Sequence, residues 1–454
     1  MHVAANREGR PLDGTQLMVE RDELRIPSWA RAIIKALRFS CTETSPLPIA
    51  PEDWKAACQF CDRHHLTLPL ALRCSERLPA SAKIHVTKAF TAASEHWGQV
   101  REEYRRCAAA FEHNGLEFVV LKGFALSGLF VERPEFRFQY DLDLLFDRDQ
   151  LPHARGIALQ LGYEPITGSK HSPIDHLPTM IRKTGWQWHD DFFDPNIPVS
   201  LELHFRLWDE ATECFSPKGL DQFWNRRIVR ELEGFRFFSL DPVDSVAYSA
   251  LHSLRHLLRG DLRLSQIYEL AWFLDTYADQ SLFWEKWSAL HHFSLRRLQS
   301  VMFALAARWF DCRLALSVSR NIERLPRELE RWLDLFGASP IERIFRPNKD
   351  EIWLHWALVS SGRAQFTLLK RRLFPSALPG PVDAVHIPGE QITSVIRIRA
   401  QLAYGRHLLS RLLHHGRALI TIAGSATSWF GPAMNRDLFR RIYKLFTSSG
   451  QTAL

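Results

Sequence analysis

Residues 137–147 read RFQYDLDLLFD, a run of aromatic and aliphatic side chains that carries two carboxylates one residue apart. Phe136, Phe138, Tyr140, Leu142, Leu144, Leu145 and Phe146 give it the composition of a strand, because such side chains suit a pleated, half-buried surface. In a strand, positions i and i+2 share a face, so Asp141 and Asp143 stand side by side and repel each other. A cation between them resolves the conflict, and hard oxygen ligands favour magnesium or manganese over zinc. An exposed edge strand with two solvated acids is the plain alternative.

VSLELHFRLW, residues 199–208, repeats the alternation. Val199, Leu201, Leu203 and Phe205 interleave with Ser200, Glu202, His204 and Arg206, so Glu202 and His204 share a strand face. If this strand lies beside the Asp141/Asp143 strand, a third carboxylate completes a site for two metal ions, of the kind that clamps a triphosphate. Upstream, LEFVVLKGFAL is a short apolar run that reaches Lys122-Gly123 and then reads as the start of a helix. A glycine there admits a phosphate close to the backbone, favoured by a helix amino terminus, and Lys122 could touch the same phosphates. Taken alone, the pair reads more readily as an ordinary strand–helix turn. GxxxxGK[ST] is absent, and no GxGxxG follows a strand.

The chain has 454 residues, 46% hydrophobic and 24% charged, values of ordinary globular protein with room for two or three domains. No apolar run approaches the ~20 residues that cross a bilayer, and the amino terminus MHVAANREGRPLDGTQ has no apolar signal-peptide segment. With seven scattered cysteines, the expectation is a cytoplasmic protein. The net charge of +7 is unevenly spread. From Arg363 onward many arginines and lysines face only Asp383, Glu390 and Asp437, which suits solvated helix faces, an acidic partner, an anionic lipid surface or nucleic acid.

The expected fold class is α+β: a small mixed β-sheet core flanked by amino-terminal and carboxy-terminal helical regions. Residues 1–24 are expected to be disordered and 25–113 to be helical; 114–240 form the α/β core. Beyond Asp241-Pro242, a helical domain spans 241–374 and a basic helical extension 375–454, with FPSALPGPVD as linker. Within the core, Gln150 to Leu161 reads as a helix ending at Gly162, and the stretch from about Trp186 through the Asp194-Pro195-Asn196 turn to VSLELHFRLW reads as strand-rich.

The order of these pieces, LKG after a strand, then Arg137, Asp141 and Asp143 in R-x-x-x-D-x-D-L-L, a helix ending in LGY, and ELHFRL, resembles the uncharacterised bacterial nucleotidyltransferase family of the DNA polymerase β-type superfamily. DWKAACQFCDRHHLTLPLALR and LHSLRHLLRGDLRLSQIYELAWFL resemble its flanking helices, and RRLFPS a segment near its end. The resemblance covers roughly Trp54 to Ser376. It implies Asp141 and Asp143 as metal ligands with Glu202 as third carboxylate, Mg²⁺ or Mn²⁺ as cofactor, and Gly123 against the triphosphate. It implies an NTP substrate and an acceptor that is a small molecule, saccharide, peptide or protein, with nucleic acid the lesser candidate. Two departures stand out: the superfamily's glycine-serine is Lys122-Gly123-Phe124 here, and Glu269 stands where relatives carry aspartate.

Lys122, Gly123, Arg137, His204, His252 and Arg255 complete the candidate nucleotide-binding set. His252 and Arg255 face nucleotide or acceptor, or serve as helix contacts. Cys58, Cys61, His64, His65 and Cys74 invite a zinc reading, but a second CxxC is missing and the pattern is helical, so packing is favoured. The expected activity is transfer of a nucleoside monophosphate from an NTP. The rivals are a degenerate nucleotide-binding module, a phosphotransferase and an adaptor.

Overall fold

The computed structural model describes residues 26–166, 175–186, 188–373 and 394–448. The expected disorder of residues 1–24 and the FPSALPGPVD linker lie outside the described residues, apart from the linker's flanks. The chain divides into two compact units, one of residues 1–325 with 379–404, the other of 326–378 with 405–454.

The first unit begins with helices α1 (Ser28–Ala36), α2 (Trp54–Arg63), α3 (Thr67–Cys74) and α4 (Ala80–His113). Asn114-Gly115 ends α4, with Gly115 in the left-handed region at φ 70°. The chain then enters the sheet: β1 (Phe118–Val120), β2 (Asp141–Phe146), α5 (Leu151–Gln160), β3 (Tyr163–Pro165), β4 (Met180–Arg182), β5 (Ser200–His204), the short helix α6 (Glu210–Glu213), β6 (Ile228–Leu232) and β7 (Phe235–Ser239). The strand order is β3-β4-β5-β2-β1-β7-β6. β2 runs parallel to β5 and antiparallel to β1, so the sheet is mixed and the fold is α+β. Glu233 and Gly234, both at positive φ, make the two-residue turn between β6 and β7.

Alternation decides what each face of the sheet does. Leu142, Leu144, Leu201 and Leu203 pack with Tyr104, Cys107 and Phe111 of α4 in one buried cluster, each large aliphatic contributing about 1.5–3 kcal/mol. The residues between them are thereby committed to the opposite face. Helices α7 (Pro242–Arg259), α8 (Leu264–Tyr277), α9 (Ser281–Leu290), α10 (Phe293–Phe310) and α11 (Leu316–Ile322) follow. Asp241 caps α7 by accepting from the Val243 amide, with Pro242 in the first turn and Gly260 at φ 75° past the end.

Three expectations shift. The strand begins at Asp141 rather than at Phe136, because Pro134–Phe136 is a 3₁₀ turn and the Gln139 carbonyl is taken by His96 Nε2 of α4 instead of a ladder partner. FALSGLF forms only the 3₁₀ turn Gly123–Leu126. Of the stretch expected to be strand-rich, residues 188–198 are irregular and Ser200–His204 is strand; Trp186, Phe192 and Phe193 pack in a cluster with Phe90, Ala93 and Phe138, and a further strand is Met180–Arg182.

The second unit holds α12 (Arg327–Phe336), α13 (Ser339–Glu342), α14 (Glu351–Leu358) and α15 (Gly362–Leu373). Helix α16 (Ser394–Ser448), broken at Gly431, contributes its residues from Gly405 onward. Trp353 of α14 donates to Ser425 Oγ at 2.9 Å and stacks on Trp429.

Candidate functional site

The register of β2 against β5 pairs Asp143 with Glu202 and Asp141 with Ser200. Directly paired residues in a sheet point to one side, so Asp141, Asp143, Glu202 and His204 converge on the face that the leucines leave free. Lys122, which follows β1, reaches the same place.

At the centre is Asp143. Its Oδ1 lies 2.8 Å from Lys122 Nζ and 3.0 Å from His204 Nε2, and His204 Nε2 lies 3.5 Å from Glu202 Oε2. Asp143 and His204 are both 1% exposed. Asp143 Oδ2 and His204 Nδ1 are buried with no hydrogen-bond partner among the described residues, as is the hydroxyl of Tyr248 on α7. Glu202 Oε1 accepts from Thr179 Oγ1 at 2.9 Å, which fixes its orientation.

The charges sort themselves by partner. Burial opposes ionisation of Asp143, but Lys122 and His204 outweigh it and hold that carboxyl well below the usual range. Burial and repulsion from Asp143 raise Asp141, to about 6. Burial disfavours the His204 cation, yet hydrogen bonds to Asp143 and Glu202 raise its pKa. Burial, with Lys122 nearby, keeps His252 neutral, well below the usual histidine range.

Lys122, Asp141 and Glu202 line a cavity of about 980 Å³ together with Arg137, His252 and Arg255. Asp143, His204 and Gly123 do not line it; Asp143 and His204 sit behind Lys122. Arg137 is held by Glu269 of α8, Nε to Oε1 at 2.9 Å, so the glutamate that departs from the related pattern serves as an anchoring arm. Arg255 pairs with Asp175 and donates to His252 Nδ1 at 3.2 Å.

Gly123 has a structural task. At φ +66°, a Cβ there would fall 2.1 Å from Gln139 Nε2. Gln139 in turn accepts from the Phe124 amide at 2.9 Å and donates to the Asp141 carbonyl at 2.6 Å, and its own carbonyl lies 2.8 Å from His96 Nε2 of α4. The amide after Gly123 is therefore occupied, and the helix amino terminus anticipated at this turn is a four-residue 3₁₀ segment. Sequence reasoning missed Gln139, Thr179 and His176, whose Nε2 lies 3.8 Å from Glu202 Oε2, because none sits in a recognisable spacing. Each supports a carboxylate strand through a contact distant in sequence or through backbone.

Two carboxylates and an imidazole, Asp143, Glu202 and His204, present ligand atoms all within 4.8 Å of one another, close enough to hold a metal ion. Asp141 is outside that group and lines the cavity beside it. The description "uncharacterised nucleotidyltransferase" matches residues 50–311, more than half of the 454-residue chain. The chain belongs to this nucleotidyltransferase family. A search of curated proteins and one of solved structures each found no match. The matched span contains every residue of the carboxylate site and the whole cavity lining.

The cysteines lie apart from this. Cys58 and Cys61 are free, burial pushes the Cys58 thiol up to about 11, and no metal-capable group among the described residues includes them.

Proposed function

We propose that this protein moves a nucleoside monophosphate from an NTP to an acceptor hydroxyl or phosphate, the acceptor oxygen bonding to the α-phosphorus as the α–β anhydride bond breaks and pyrophosphate leaves, using the polymerase β-type arrangement of carboxylates. The observation that carries the reading is the parallel pairing of Asp143 with Glu202 beside a deep cavity. Its volume stands at the upper end of the roughly 300–1,000 Å³ of small-molecule sites, so nucleotide and acceptor can meet there.

The donor set fits a hard divalent cation: the orphaned Asp143 Oδ2 is a ligand atom without another use, and burial makes its lack of a partner costly. Asp143, Glu202 and Asp141 would hold Mg²⁺ or Mn²⁺, with His204 fixing the two carboxylates it touches. A cation bound there supplies charge neutralisation for the phosphates. Lys122 leaves Asp143 for the triphosphate, Arg137 and Arg255 face the nucleotide from fixed ion pairs, and the neutral His252 offers a hydrogen bond. Glu202 takes the proton of an attacking hydroxyl. Catalysis is then positioning plus preorganised charge.

One observation favours a second reading. Lys122 already neutralises Asp143 at 2.8 Å, so a chain that never exchanges Lys122 for a metal would bind nucleotide without turnover. Thermal unfolding with each NTP, with and without Mg²⁺ or Mn²⁺, separates the two, because a ligand of the folded state raises the midpoint. A metal-dependent shift, lost in Asp143→Asn, supports transfer. A metal-independent shift supports the binding module, and no shift with any nucleotide removes both. Label on the α- or γ-phosphate then distinguishes nucleotidyl from phosphoryl transfer.

A further inference from the structure

The second unit carries a feature that nucleotide chemistry does not use. In α16, Leu409, Leu412, Leu413 and Ile420 are between 57% and 75% exposed. At about 100° per residue these four fall within a ~100° arc, together with Gly405 and Gly416. The helix is anchored by its other side, where Ala418, Ile422 and Trp429 are buried and Arg331 donates to the Ser428 carbonyl at 2.8 Å. Among the described residues, the aliphatic stripe is therefore left over by the unit's own packing.

Charge identifies what suits it. Arg406 and Arg417, both exposed, border the stripe on one side, and no Asp or Glu occurs anywhere from Gln391 to Arg436. A second copy of this helix packed antiparallel would bring arginine against arginine, and one packed parallel would offer the arginines no acid to meet. Nucleic acid would answer the arginines and leave the leucines in water. An anionic lipid surface answers both, taking aliphatic side chains below its headgroups and arginines at them. No helix among the described residues is long and apolar enough to cross a membrane, so the contact lies along the surface. We propose that the Gly405–Ile420 face of α16 is a docking surface for an anionic membrane.

Flotation of the full-length protein with vesicles tests this. Wild type is expected to float with phosphatidylcholine vesicles containing phosphatidylserine and to remain behind with phosphatidylcholine alone. Leu412→Gln with Leu413→Gln should abolish flotation. Arg406→Gln with Arg417→Gln should weaken it, about fivefold for each arginine. All four positions are exposed, so an unchanged circular dichroism spectrum and unfolding midpoint show that the variants fold. Absence of flotation overturns the proposal. So does flotation that needs the arginines but not the leucines, which marks simple charge attraction. A wild-type dimer split by the leucine substitutions, with no flotation, assigns the face to a second copy instead.

Discussion

Two buried charged clusters flank the same sheet, and they are built to different ends. Around Glu103 of α4, Tyr163 donates to Oε1 at 2.5 Å and Arg182 pairs with Oε2 at 2.5 Å, so both carboxylate oxygens are taken. Around Asp143, one oxygen is shared by Lys122 and His204 while the other has no partner among the described residues. A closed cluster fixes strands; an open one keeps a costly, unsatisfied group where a ligand can satisfy it. The contrast separates the polar groups that hold this fold from those that act.

The largest test of that contrast is Asp143→Asn, expected to lower nucleotidyl transfer by about 10³-fold with the folded state retained. Release of pyrophosphate from an NTP measures it, and a wild-type rate would end the assignment. Glu103→Ala should do the reverse. Leaving Arg182 and Tyr163 without their acceptor costs about 3 kcal/mol in urea unfolding, while the midpoint shift on nucleotide addition persists. If nucleotide response vanishes in a folded Glu103→Ala protein, the two clusters are not separate.

Gly123→Ala is expected to destabilise by about 2 kcal/mol, from a strained φ and from overlap with Gln139. Adding Gln139→Ala should relieve the overlap but not the backbone strain, so partial recovery tests the contact itself. Lys122→Met, which removes the cation already resting on Asp143, should raise Mn²⁺ affinity about tenfold without nucleotide, by calorimetry. Unchanged affinity would show that Lys122 does not occupy the cation's place.

The smallest effect concerns His64, whose two ring nitrogens are buried with no hydrogen-bond partner among the described residues and whose pKa burial lowers from 6.5 to about 4. The unfolded chain takes up a proton below 6.5 while the folded one stays neutral. This stabilisation is therefore complete above pH 6.5 and is lost as pH falls toward 4. His64→Leu should flatten that part of the stability–pH curve; an identical slope in both proteins would refute it.

Much of the site was legible because strand alternation is a local property. DLDLL and LELH announce which side chains share a face before any partner is known. The support was not legible. Gln139 lies in a run whose composition reads as strand, yet it bridges the Phe124 amide and the Asp141 carbonyl. The aromatic residues between Trp186 and Phe193 read as strand because composition cannot tell a ladder from a packed loop. Arg137 was marked by the resemblance to the nucleotidyltransferase family, but its anchor, Glu269, is 132 residues away.

By itself, the sequence determined the α+β class, the carboxylate faces, and the Asp241-Pro242 start of α7, since periodicity and capping act within a few residues. Tertiary structure alone decided that Asp143 stands opposite Glu202, that Lys122 covers it, that Gln139 requires a glycine at position 123, and that no described residue covers one face of α16. These depend on which distant segments meet, and that is settled by packing over the whole chain rather than by any local pattern.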